Sequence, residues 1–213
     1  MPKETGIIMS GSHPVDILEG RKTMTRRTWG LEFINKTPDT WRYVWNSLSQ
    51  QHEFYDAYYS DAPPVIIKCP YGGVGDLLWV RETHTFTSWD FSTPYEDRFL
   101  VKYADGIEEW HKKDIVPKVP YHITLNKVRP SLFTPRWASR ITREITQLGA
   151  ERVQEITEED CVKEGFPEEI RWKTKRAPWR IVWFSELWDS LNAKRGYSWE
   201  FNPWVWPIRF REI

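Results

Sequence analysis

Two strand-like segments lie at opposite ends of this sequence, and any fold has to gather both. Gly6 to Ser10 (GIIMS) reads as a short buried strand. Trp204 to Arg211 (WVWPIRFR) alternates like a closing strand, with Pro207 confining it to an edge or a bulge. Between them, Leu77 to Glu82 (LLWVRE) is fed by the glycine-rich turn Tyr71-Gly72-Gly73-Val74-Gly75-Asp76, and Arg140 to Leu148 (RITREITQL) is rich in β-branched residues. Helices are interspersed. Pro14 to Leu18 starts one, with Gly20 as its C-terminal cap. Thr157 caps a second, whose first turn is Glu158-Glu159-Asp160 and which stops at Gly165. Trp179, Val182, Trp183, Glu186, Leu187 and Ser190 recur at helical spacing in a third, over Trp179 to Leu191. This pattern predicts a single mixed α+β domain around a small barrel or curled sheet.

Two aromatic stretches interrupt that frame. Residues about 29 to 64 show no clean period and are expected to pack on the core through Trp41, Trp45, Phe54 and Tyr58. A second irregular stretch, about 83 to 135, holds one strand at Phe99 to Tyr103. With 14 Trp in 213 residues, the chain has either a core of aromatic slabs or a stacking surface for flat ligands. Composition does not choose between them.

Charge excludes more. Thirty Lys and Arg balance 30 Asp and Glu, which argues against coating long duplexes while leaving room for a local basic pocket. No apolar run approaches the roughly 18 residues of a membrane span. The opening Met-Pro-Lys-Glu-Thr-Gly-Ile-Ile-Met has no apolar signal-peptide core, and Cys69 and Cys161 are too few for a disulfide framework, so a cytoplasmic protein is expected. His13, His52, His84, His111 and His122 stand at no metal-ligand spacing. Gly72-Gly73-Val74-Gly75 lacks both the Walker lysine and the dinucleotide spacing. No metal or cofactor is expected.

Three constellations carry chemistry. Gly20-Arg21-Lys22-Thr23-Met24-Thr25-Arg26-Arg27 packs four cations and two hydroxyl residues behind a helix end; on charge alone it is a solvated basic edge, and a turn after Gly20 is needed for Lys22 to meet Thr25. Glu164 stands at a helix C-terminus, where the dipole disfavours it, so either it is an ordinary exposed Glu or its place has a functional reason. Gly75-Asp76 is turn chemistry first. The strand that follows sends Arg81 and Glu82 to opposite faces, so at most one of them enters a pocket.

Together these segments resemble ASCH domains of the PUA-like superfamily. Gly20-x-Lys22-x-x-x-x-Arg27 matches their G-x-K-x-x-x-x-R signature, and the Gly75-Asp76 strand and the Thr157 to Gly165 helix follow in family order. The longer arrangement is similar to phage and prophage ASCH proteins, through Cys69-Pro70-Tyr71-Gly72, Leu78 to Glu82, Pro135 to Arg140 and Asn202 to Trp206. The resemblance implies a small β-barrel with surrounding helices and a cleft for RNA or a nucleoside. Small N(4)-acetylcytidine amidohydrolases of this family are matched at their three catalytic positions by Lys22, Thr25 and Glu164, although this chain is about twice as long. It implies Gly20, Arg21, Arg26, Arg27, Arg81 and Glu82 as substrate-binding neighbours.

The trio makes chemical sense. A desolvated lysine is a base for a threonine hydroxyl, with Arg21, Arg26 and Arg27 depressing its pKa; alternatively water attacks and Lys22 stabilises the oxyanion. Three functions compete: an amidohydrolase on an N(4)-acylcytidine-like pyrimidine or a ribonuclease, a module that binds a nucleoside or short single-stranded RNA, and an interaction protein of a phage programme.

Overall fold

The computed structural model describes residues 1–59, 61–90, 98–112, 124–167 and 178–213. In chain order, β1 (Glu4–Ile8) leads into α1 (His13–Leu18) and β2 (Met24–Arg27). β3 (Trp41–Asn46), β4 (Gln51–Asp56) and β5 (Val65–Ile66) follow, then β6 (Leu77–Arg81). β7 (His84–Asp90), β8 (Arg98–Tyr103), β9 (Glu108–Lys112) and β10 (Val128–Arg129) make a second run of strands. The chain ends with β11 (Thr142–Leu148), β12 (Glu151–Arg152), α2 (Glu158–Lys163), α3 (Trp179–Asn192) and β13 (Trp204–Arg211).

The principal sheet has six strands in the order β1-β6-β11-β13-β12, with β2 also on β13. β1 runs parallel to β6 and the other pairs are antiparallel. Both ends of the chain therefore enter one sheet, in a mixed α+β fold. Among the described residues no pairing closes this sheet into a barrel. Its core is Ile7, Leu78, Val80, Ile141, Ile145, Trp206 and Ile208, all within 2 % of full burial.

Pro207 does not make β13 an edge. The Phe210 N–H bonds to the Thr23 carbonyl, so by strand alternation the side of Pro207 that lacks an N–H faces away from β2. On that side β11 ends at Leu148 opposite Ile208, and β12 begins at Glu151 opposite Val205. The missing donor falls in the gap between two partners, where it costs no ladder bond.

Where they are described, the aromatic stretches hold sheets in place of the irregular run expected. β3, β4 and β5 form a three-stranded sheet, and β10-β7-β8-β9 a four-stranded one. Phe54 is fully buried in the main core and Trp41 packs against it, but Trp45 and Tyr58 are exposed. Period was hidden because β3 alternates between half-buried and exposed positions. α3 also differs from its apparent stripe: it buries Phe184 and Trp188 against Val153, Ile156, Cys161 and Val205, while Glu186 and Ser190 face solvent. The tryptophans divide, with Trp188, Trp204 and Trp206 in the core and Trp29, Trp45, Trp89 and Trp110 exposed.

Candidate functional site

Two backbone contacts bring residues far apart in the chain together. α1 ends at Leu18, and Gly20 takes φ +74°, the left-handed conformation that turns the chain back. The Lys22 N–H then bonds to the Asp16 carbonyl, and the Thr23 N–H to the Lys163 carbonyl. Lys22 and Glu164 form an isolated antiparallel bridge. α2 delivers Glu164 to that point: Thr157 caps it by accepting from the Asp160 N–H at 3.1 Å, and Gly165 at φ +95° ends it.

The side chains then meet. Lys22 Nζ donates to Glu164 Oε2 at 2.6 Å and to the Glu164 carbonyl at 2.7 Å, with both residues nearly fully buried. The ammonium thus sits on the C-terminal carbonyl of α2, which offsets the dipole penalty on the glutamate. Burial lowers the Lys22 pKa, and Glu164 opposes that shift. Arg26 Nη1 reaches the other Glu164 oxygen at 3.1 Å. Arg26 also donates to Glu151 at 2.7 Å and to Asp160 at 3.1 Å. Burial disfavours the Arg26 charge, but Glu164, Glu151 and Asp160 outweigh it and raise its pKa. Every charge in this network has a partner, as buried charges require.

Lys22, Thr25, Arg26, Arg27 and Glu164 line one cavity of about 200 Å³. The Thr25 side chain is 4 % exposed and its hydroxyl makes no hydrogen bond among the described residues. Two of the three Lys22 donors go to Glu164, leaving one for a ligand or for a hydroxyl that approaches it.

Four of the residues expected in the pocket lie outside its lining. Gly20 supplies the turn only. Arg21 is half exposed and pairs with Asp16 and Glu19. Arg81 donates to the Leu132 carbonyl and stacks beside Trp79. Glu82 is buried, but against Arg140, which grips both its oxygens at 3.0 Å and reaches Asp105 at 2.7 Å. That trio ties the end of β6 to the β8–β9 turn. The strand does deliver Glu82 to a buried site, and the site is a joint between sheets.

Other residues complete the cavity: Ser10 and His13 around α1, Trp29 and Tyr71 from loops, and Leu187, Trp188, Leu191, Asn192 and Arg195 from α3 and the turn after it. His13 stands out because burial, with Lys22 nearby, lowers its pKa to about 4, so it is neutral above that pH. Its place in the first turn of the helix that precedes Lys22 is a signal in the sequence that metal-ligand spacing does not carry. The α3 residues had no such signal, because their role depends on where the helix docks. Among the described residues no His, Cys, Asp and Glu group has metal-ligating geometry, and His122 lies outside them. No helix among them is long and apolar enough to cross a membrane. Comparison with family models, curated proteins and solved structures gave no match.

Proposed function

We propose that this protein is an ASCH-type hydrolase that binds a nucleoside in the cavity and cleaves an amide on a modified pyrimidine of the N(4)-acylcytidine kind. The observation that carries this reading is the buried Lys22–Glu164 pair on the wall of a cavity that also presents the Thr25 hydroxyl. Further support comes from the likeness of Gly20-x-Lys22-x-x-x-x-Arg27 to the ASCH signature, and of Lys22, Thr25 and Glu164 to the amidohydrolase trio. The PUA-like relationship, a phage-type origin and a cytoplasmic setting belong to the same proposal.

In this reading Thr25 Oγ1 attacks the acyl carbon and its proton passes to Lys22 in its neutral form, which burial favours and Glu164 opposes. The tetrahedral intermediate collapses, the C–N bond breaks, and Lys22 returns the proton to the departing amine. Glu164 orients the ammonium and balances its charge between the two transfers. Water then hydrolyses the acyl-threonine, so the net change is amide plus water to carboxylic acid plus free amine. Arg27 and Tyr71 bound the pocket, and a space this small suits a single nucleoside rather than a strand, since drug-sized pockets start at about 300 Å³.

The test is an assay of the purified protein on N(4)-acetylcytidine, following cytidine and acetate. The expected result is turnover that falls at least about a hundredfold in Lys22→Ala and in Thr25→Ala, the scale of a lost acid–base group. Absence of turnover on a panel of N(4)-acylated cytidines, together with saturable cytidine binding, would move the assignment to a binding module. The cationic lining of the cavity already favours that second reading over an interaction protein.

A further inference from the structure

The cavity holds more positive charge than the chemistry at Lys22 uses. Its charged lining is Lys22, Arg26, Arg27 and Arg195 against one carboxylate, Glu164. That carboxylate is committed to Lys22 and Arg26, and Arg26 is held further by Glu151 and Asp160. Arg27 and Arg195 are left over. Arg27 donates Nη2 to the Ile8 carbonyl at 2.8 Å and to Met9 Sδ, and its buried Nε has no partner. Arg195 has a 3.4 Å bond to Asn192 Oδ1 and lies beside the Tyr197 ring, with no carboxylate in reach among the described residues. Burial disfavours the Arg27 charge most, Tyr71 and Glu164 favour it, and Arg195 is near enough to disfavour it by a smaller amount.

In a chain of zero net charge, carboxylates are available to quench such a pair. Arg140 holds Glu82 and Asp105, and Arg26 on the same cavity holds three acids, whereas buried Arg143 bonds the Thr142 and Ile17 carbonyls. Among the described residues no carboxylate bonds either arginine, and two such cations on one cavity repel each other until an anion sits between them. Tyr71 lines the same cavity, and its hydroxyl makes no hydrogen bond to a described residue. Two guanidinium forks and a phenol match the terminal oxygens of a phosphate monoester, which offers three strong acceptors.

We propose that Arg27 and Arg195 form a phosphate subsite, so that the preferred ligand of the cavity is a nucleoside monophosphate rather than the free nucleoside. This rests on the reading of the cavity as a nucleoside site. Arg195 sits in the exposed turn closed by Gly196 at φ +85°, so its replacement leaves the core packing untouched.

The experiment is calorimetric titration of cytidine and of cytidine 5′-monophosphate into the wild-type protein and into Arg195→Ala and Arg195→Lys, at one low and one moderate salt concentration. The expected result is at least tenfold tighter binding of the monophosphate to the wild type, a ratio that drops below threefold in Arg195→Ala and is partly kept in Arg195→Lys. Equal binding of the two ligands, or a ratio unchanged in Arg195→Ala, overturns the subsite and leaves the nucleoside reading standing. Binding of neither ligand removes both. A cytidine trinucleotide that binds more than tenfold tighter than the monophosphate also overturns it, because several phosphates then share a track, with a salt slope of about 0.7 per contact.

Discussion

At the scale of single residues, the Lys22–Glu164 pair is a buried charge pair with unequal partners. Glu164 also serves Arg26, whereas among the described residues the Lys22 ammonium bonds no acid other than Glu164. Replacing the glutamate therefore strands Lys22, while Arg26 keeps Glu151 and Asp160, and replacing the lysine strands neither partner. We expect Glu164→Gln to cost about 3–5 kcal/mol, the usual result of breaking a buried pair from one side. Lys22→Met should cost clearly less, because Arg26 still balances Glu164. Chemical denaturation of the two variants checks the order; equal losses would mean that the charge balance is not what holds this site. The cysteines need no such argument, since burial pushes the thiols of Cys69 and Cys161 up to about 12 and leaves both unreactive.

At the scale of elements, α2 is a six-residue helix whose task is to place its C-terminal residue. A helix this short has little cooperativity of its own and depends on its cap and its docking. Thr157→Ala removes the one side-chain cap and is expected to cost about 1 kcal/mol, with Thr157→Ser restoring most of it. Because Glu164 lies at the other end, turnover or ligand affinity should fall in Thr157→Ala by more than the stability loss alone explains. Denaturation and binding measured on the same three proteins decide this. An unchanged affinity would show that the Lys22 bridge places Glu164 without help from the cap. Gly165, at φ +95°, closes the helix in a left-handed conformation that side-chain-bearing residues adopt only with strain.

At the scale of the whole molecule, acid should unfold this protein through buried neutral histidines. Burial lowers both His13 and His52 from 6.5 to about 4. Between those values the unfolded chain binds a proton at each site and the native state does not, so stability rises with pH across the window and is lost as pH falls through it. Each site contributes at most about 3 kcal/mol. His52 is wedged between Trp45 and Trp206 and bonded to the Tyr43 hydroxyl, so it senses the docking of the three-stranded sheet on the core. Unfolding free energies at pH 7 and pH 4.5 should differ by several kcal/mol, and His52→Phe should remove about half of that difference. A flat profile would show that neither ring is kept neutral by the fold.

What the sequence determined by itself was local. Caps and turns (Gly20, Thr157, Gly165), the strands at Leu77, Arg140 and Trp204, and the lysine, threonine and glutamate of the cavity were legible because each depends on neighbours a few residues away or on a short motif. Only the tertiary structure decided which of these meet and which part. Arg81 and Glu82 stand on a readable strand, yet their partners, Leu132 and Arg140, come from about 50 residues away and draw them out of the cavity. Arg195 and Trp188 enter it because α3 docks through Phe184 and Trp188 onto Val153, Ile156, Cys161 and Val205. Pro207, in the chain an edge signal, sits in the middle of a sheet because the break between β11 and β12 falls opposite it. Sequence spacing encodes which face a side chain takes along its own element. The partner opposite that face is set by the packing of elements from the whole chain, which no local pattern carries.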